Sequence, residues 1–167
     1  WFFVEKAPRE ARLIHQARLV NDSQPEFVLG LLQEEFGSLE GKTFAVLGVT
    51  YKPDVDDIRE SPALTIIHLL EKVGAAVKAY DPFLIEPPQK LPYLVQTLEA
   101  ACGEADGILL LVNHRQFETL DPAILGKSLR NKFILDTRNI LDVDCWRKAG
   151  FDVKTLGNGQ GGKRGKR

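Results

Sequence analysis

Methionine is missing from all 167 residues, and cysteine occurs twice, as Cys102 and Cys145, in neither metal-binding nor redox spacing. Two cysteines in so long a chain predict a reducing, cytoplasmic setting rather than a disulfide scaffold. No apolar run approaches the ~20 residues that span a bilayer, and no secretory leader opens the chain, so no membrane partner is expected. A basic excess is lacking too. The 22 basic and 23 acidic residues leave a formal net charge of -1, which argues against a general nucleic-acid binder. There is no Gly-x-Gly-x-x-Gly turn after a strand, since Gly48 stands alone in its loop, and hence no phosphate cradle for a dinucleotide. The absent methionine and the apolar opening Trp1-Phe2-Phe3 together predict a piece cut from something larger.

What is present centres on residues 43 to 73. Thr43 to Val49 is a short, nearly unbroken apolar run, the pattern of a parallel strand covered on both faces. Ser61 suits a helix N-cap and Pro62 the first helical position. Leu64, Ile66, Ile67, Leu69, Leu70 and Val73 then give that helix a wide apolar face. The loop between carries Tyr51, Lys52, Asp54, Asp56, Asp57, Arg59 and Glu60. Loops at the carboxyl ends of strands in open α/β sheets hold ligands, and two cations before a helix N-terminus suit an anion. On charge alone, however, Lys52 and Arg59 serve to neutralise the four acids around them.

The rest of the chain reads as a helical lead-in followed by strand–helix alternation. Pro8 can start a helix with an apolar stripe of Ala11, Leu13, Ile14, Ala17, Leu19 and Val20. Asn21-Asp22-Ser23 interrupts it, and Asp22 or Ser23 caps a second helix through Phe36, closed by Gly37 and Gly41. Further strands are expected at Ala76–Tyr80, Leu94-Val95, Gly107–Val112, Lys132–Asp136 and Phe151–Thr155. Helices are expected after Thr97, around 117–125, and after Asp142 or Asp144. The proline-rich stretch 83–92 reads as irregular chain, and the Gly- and cation-only tail 157–167 as disordered. This pattern predicts an α/β fold with a doubly wound, mainly parallel, Rossmann-like sheet and an N-terminal helical lead-in.

If the sheet is parallel, three strand ends share one rim: Tyr51 and Lys52; Asn113, His114 and Arg115; and Asp136 to Asn139. Tyr51 can lie against a base or sugar, and Lys52 can pair with a carboxylate or a diphosphate. Arg138 either offers a planar fork for phosphate or caps and pairs with Asp136. His114 has no carboxylate or cysteine near it in sequence and reads as a polar loop residue. Cys102 reads as a small buried hydrophobe on a helix.

The run Gly48-Val-Thr-Tyr-Lys-Pro-Asp-Val-Asp-Asp-Ile-Arg-Glu-Ser-Pro-Ala63 resembles the signature of the UDP-glucose/GDP-mannose dehydrogenase family, in its C-terminal domain. Ala11 to Pro25 is similar to the segment downstream of that family's catalytic cysteine motif. Trp1-Phe2 resembles the branch acting on N-acetylhexosamine nucleotides. The resemblance implies an NAD-dependent oxidation of a UDP-sugar at C6, from alcohol to carboxylate, in two hydride transfers through a cysteine thiohemiacetal. It implies that Tyr51, Lys52 and Arg138 bind the sugar nucleotide, and that Arg59 contacts NAD held mainly by another domain. It also implies that residues 1–40 come from a central dimerisation region, 41–156 form the sugar-nucleotide-binding domain, and the full enzyme is a homo-oligomer. The family's Gly-Gly-x-Cys nucleophile is absent here, so the isolated chain is expected to be inactive, with NAD bound by a missing N-terminal domain. A stand-alone nucleotide-binding regulatory module without catalysis, or a structural subunit dimerising through residues 8–36, remain the alternatives.

Overall fold

A computed structural model describes residues 2–7, 9–84 and 91–157; expectations placed on Trp1, Pro8, residues 85–90 and the tail beyond Gly157 lie outside the described residues. In chain order the elements are α1 (Phe2–Lys6), α2 (Arg12–Asp22), α3 (Gln24–Phe36), β1 (Thr43–Leu47), α4 (Pro62–Lys72) and β2 (Ala76–Tyr80). There follow α5 (Leu98–Cys102), β3 (Gly107–Leu110), a 3-10 turn (Arg115–Thr119), α6 (Pro122–Leu125), β4 (Phe133–Asp136), α7 (Val143–Lys148) and β5 (Asp152–Thr155).

All five strands pair in parallel in the order β2-β1-β3-β4-β5. Side chains alternate strictly across this sheet, so each strand feeds two cores. Phe44, Val46, Leu109, Phe133 and Leu135 face α3 and α4, and Val28, Leu32, Ile67 and Leu70 complete that layer. Ala45, Leu47, Ile108, Leu110, Ile134 and Val153 face the opposite layer with Cys102, Phe117, Trp146 and Phe151. Burial on both faces is why these strands read as continuous apolar runs rather than as alternation. The Leu94-Val95 strand reduces to a single parallel bridge between Leu94 and Ala79.

Helix ends follow the expected chemistry at three places. Ser61 accepts the Ala63 N–H, Thr97 accepts the Ala100 N–H, and Asp142 accepts those of Asp144 and Cys145. The lead-in departs from expectation. α2 runs through Asn21 and Asp22, and Ser23 makes no cap: its own backbone is helical (φ -83°, ψ -9°), so its hydroxyl donates back to the Val20 carbonyl at 2.8 Å. The expected stripe on α2 is not covered either. Leu13 is 82% exposed and Val20 61%, whereas α3 buries Pro25, Val28 and Leu32.

Burial pushes the Cys102 thiol up to about 12, helped by the charge of Glu99, while Cys145 is exposed. A thiol reagent is therefore expected to titrate Cys145 alone in the native protein and both cysteines after unfolding; rapid native reaction at Cys102 would contradict the fold around α5. No helix of the described residues is long and apolar enough to cross a membrane.

Candidate functional site

Sheets of this strand order change winding direction between β1 and β3, and the crevice at the carboxyl end of that point is where ligands sit. The loops that rim it here follow β1, β3 and β4. Gly48 begins the first with φ +86°, and a β-carbon there would stand 2.5 Å from Val112 Cβ and 2.9 Å from its amide nitrogen. Glycine is required on both counts. Thr50, Tyr51 and Lys52 come next, and the loop closes at the Ser61 cap of α4.

Tyr51, Lys52 and Arg138 line one cavity of about 350 Å³, together with Ser61, Pro62 and Thr137. Asn21, Gln24 and Pro25 of the lead-in form another wall. Lys52 Nζ lies 5.6 Å from the centroid of the half-exposed Tyr51 ring. Among the described residues Lys52 forms no salt bridge. Two of the four neighbouring acids are engaged elsewhere: Arg59 clasps Asp57 with bonds of 2.9 and 2.8 Å, and Arg115 holds Asp54 at 2.7 Å. Bonding to Arg59, with a smaller contribution from Lys52, brings the Asp57 carboxyl down to about 2, and the same bond raises Arg59. Bonding to Arg115 lowers Asp54 against the opposing effect of desolvation. Arg59 thus pairs with Asp57 and is not among the cavity-lining residues, whereas Lys52 lines the cavity.

Arg138 is seated by its backbone. Asp136 is fully buried and accepts four N–H groups in a fan: Arg138 and Asn139 on Oδ1 at 2.8 Å, Ile140 on Oδ2 at 2.9 Å and Leu141 on Oδ2 at 3.0 Å. The expected pairing of Asp136 with Arg138 is therefore a main-chain bond. The guanidinium instead donates through Nε to Asn113 Oδ1 at 3.2 Å, and among the described residues Arg138, which lines the cavity, forms no salt bridge.

His114 is not the polar loop residue expected. It is fully buried, stacked on Phe83 at 5.0 Å, with Nε2 3.1 Å from Asp81 Oδ2. Its partner lies 33 positions upstream, at the end of β2, and only the strand order β2-β1-β3 brings the two ends together. The one available signal was that Asp81 and His114 each close a strand beside β1. Asp81 also accepts the Val49 N–H at 2.7 Å and the Thr50 N–H at 3.1 Å. Burial acts to raise its carboxyl, but bonds from His114, Val49 and Phe83 outweigh that and hold it below its ordinary value. A depressed carboxylate contributes stability that is present above the unfolded value of 3.8 and is lost as pH falls through the lower folded one. Acid unfolding below about pH 4 is expected to flatten in Asp81→Asn; an unchanged slope in urea titrations would exclude Asp81 as a contributor.

Residues 45–143 match the model of the UDP-glucose/GDP-mannose dehydrogenase family, UDP binding domain. A UDP-N-acetyl-D-mannosamine dehydrogenase of Methanococcus maripaludis is 38% identical over 164 residues, covering 95% of this chain and 37% of that protein. Among solved structures, the UDP-N-acetyl-mannosamine dehydrogenase of S. aureus superposes with a TM-score of 0.75 at 31% identity, over 95% of this chain and 36% of that one. The NDP-N-acetyl-D-galactosaminuronic acid dehydrogenase of Methanosarcina mazei gives 0.77 at 30% identity, over 84% and 30%. The chain thus spans little more than a third of the curated relatives it matches. With the signature loop and most of the parallel sheet falling within the family match, the chain belongs to the UDP-glucose/GDP-mannose dehydrogenase family and carries its UDP binding domain.

Proposed function

We propose that this chain forms the UDP-gripping wall of an NAD-dependent nucleotide-sugar 6-dehydrogenase, with a UDP-N-acetylhexosamine as substrate. The observation that carries this reading is the single cavity shared by Tyr51, Lys52 and Arg138 at the switch point of the sheet. Ser61, Pro62 and Ala63, the first residues of α4, line the same space, so the positive end of an 11-residue helix adds to the two cations. Lys52 supplies a mobile point charge and Arg138 a planar fork, the two complementary ways of holding a diphosphate. Tyr51 offers a flat face to the base or ribose. Binding so far from the reacting carbon orients the sugar and does not itself make or break bonds.

NAD, when bound, accepts the hydrides of the oxidation. No Gly-x-Gly-x-x-Gly turn follows β1, so we assign the cofactor's pyrophosphate site to another domain. The fitting group is Arg59, whose side chain is 85% exposed and which we assign to the face toward a cofactor held by another domain. Residues 1–40 are read as part of the dimerisation region of a homo-oligomer, supported by the uncovered apolar side chains of α2.

Calorimetry with UDP tests the reading. Lys52→Ala and Arg138→Ala are each expected to weaken binding about tenfold or more, the equivalent of ~1.4 kcal/mol or above for a charge-assisted contact. Affinities equal to that of the unsubstituted chain would remove both residues from the site.

A further inference from the structure

His114 has no part in the binding scheme just given, yet its bonds bracket Lys52. Nδ1 accepts the Asp54 N–H at 2.9 Å, and a nitrogen that accepts carries no proton. The ring proton is therefore on Nε2, which lies 3.1 Å from Asp81 Oδ2 and 3.2 Å from Thr50 Oγ1. The Thr50 hydroxyl agrees independently. Its own proton is donated to the Lys52 carbonyl at 3.0 Å, so toward the imidazole it can only accept. Phe83 and Phe117 pack the ring on two sides at 5.0 and 5.4 Å, which fixes its plane.

The consequence falls on residues 50–54. The carbonyl of Lys52 is held by Thr50, and the amide two residues further on is held by His114. Asp54 itself has φ +59°, a conformation uncommon outside glycine although aspartate adopts it more readily than most, and is clamped on its other side by Arg115 at 2.7 Å. A turn this constrained returns to its preferred shape unless something fixes both ends.

We propose that His114 is a positioning residue for Lys52: as the Nε2–H tautomer it accepts the Asp54 N–H and so presents the Lys52 ammonium to the diphosphate of a nucleoside-diphosphate ligand. This rests on the reading of Lys52 as a ligand-binding residue. The decisive bond is the one to Nδ1, while the donation from Nε2 ties the ring to the sheet edge.

Two substitutions separate these bonds. In His114→Asn the amide oxygen can stand in for Nδ1 and accept the Asp54 N–H, but nothing replaces Nε2–H. In His114→Gln the amide nitrogen can stand in for Nε2–H, but no acceptor faces Asp54. UDP calorimetry is expected to give about threefold weaker binding or less for His114→Asn and about tenfold weaker for His114→Gln, with thermal midpoints lowered alike. Affinity losses that follow thermal stability in both variants would overturn the positioning role. Lys52→Ala is run alongside. If it binds UDP like the unsubstituted chain, the ligand reading itself falls; if it is weakened while His114→Gln is not, only the positioning role falls. Nitrogen-15 spectra of the unsubstituted chain provide a check that does not depend on either variant folding. They are expected to show an unprotonated Nδ1 and a protonated Nε2, and a protonated Nδ1 would overturn the proposal.

Discussion

Asp136→Ala is expected to lower stability by about 3–5 kcal/mol in urea unfolding, because four backbone N–H groups lose their acceptor at once. Each buried donor left without a partner costs roughly 1–3 kcal/mol, and the total is discounted because three of the four are only partly buried. Asp136→Asn keeps the shape and one oxygen but turns an NH2 group toward two of the donors. About half the loss is expected for it, with a thermal midpoint lowered by ~5 °C or more. The same carboxylate seats Arg138, so Asp136→Asn is also expected to weaken UDP binding beyond what instability explains. A loss below about 0.5 kcal/mol would show that water replaces the carboxylate without cost.

Gly48→Ala is the second large effect. The added carbon would meet Val112 Cβ at 2.5 Å and the Val112 amide nitrogen at 2.9 Å, in a backbone with φ +86°. Left-handed strain contributes about 1–2 kcal/mol and overpacking about 1–3, so a loss of ~3 kcal/mol or more is expected. The two closest contacts are with atoms that alanine at position 112 retains; only the 3.0 Å contact with Cγ2 would be relieved. Gly48→Ala with Val112→Ala is therefore expected to be no more stable than the single variant, and a clear rescue would mean that the strand ends part more easily than the packing indicates. Because Val112 lines the cavity, nucleotide binding should fall with stability here.

The parts that were legible in the sequence are those set by local pattern. β1, β3 and β4 announce themselves because a sheet covered on both faces needs apolar side chains at successive positions. Ser61-Pro62 announces α4 because capping is decided within a few residues. That Lys52 and Arg138 share a rim followed from reading the sheet as parallel. What stayed hidden depended on pairings across strands. The Asp81–His114 contact requires knowing that β2 and β3 flank β1, and nothing near His114 in sequence marks it as buried. The state of Ser23 was equally hidden: whether such a residue caps a helix or continues one turns on its own backbone angles, which here are helical. The exposed stripe of α2 misleads in the opposite sense, since its spacing is that of a core helix while the described residues offer it no cover.

The placement of the Lys52 ammonium near the Tyr51 ring has an effect on how ligand arrival is felt. The ammonium and the ring attract each other, an interaction of about 0.5–1 kcal/mol at an exposed position. A guest that takes the cation for its phosphates also uncovers the aromatic face, and a guest that covers the face dislodges the cation. With Tyr51 and Lys52 in the roles proposed above, base and phosphate recognition are linked through one local rearrangement, so inorganic phosphate or a free nucleoside alone is expected to obtain less than its share of the grip that the joined molecule receives.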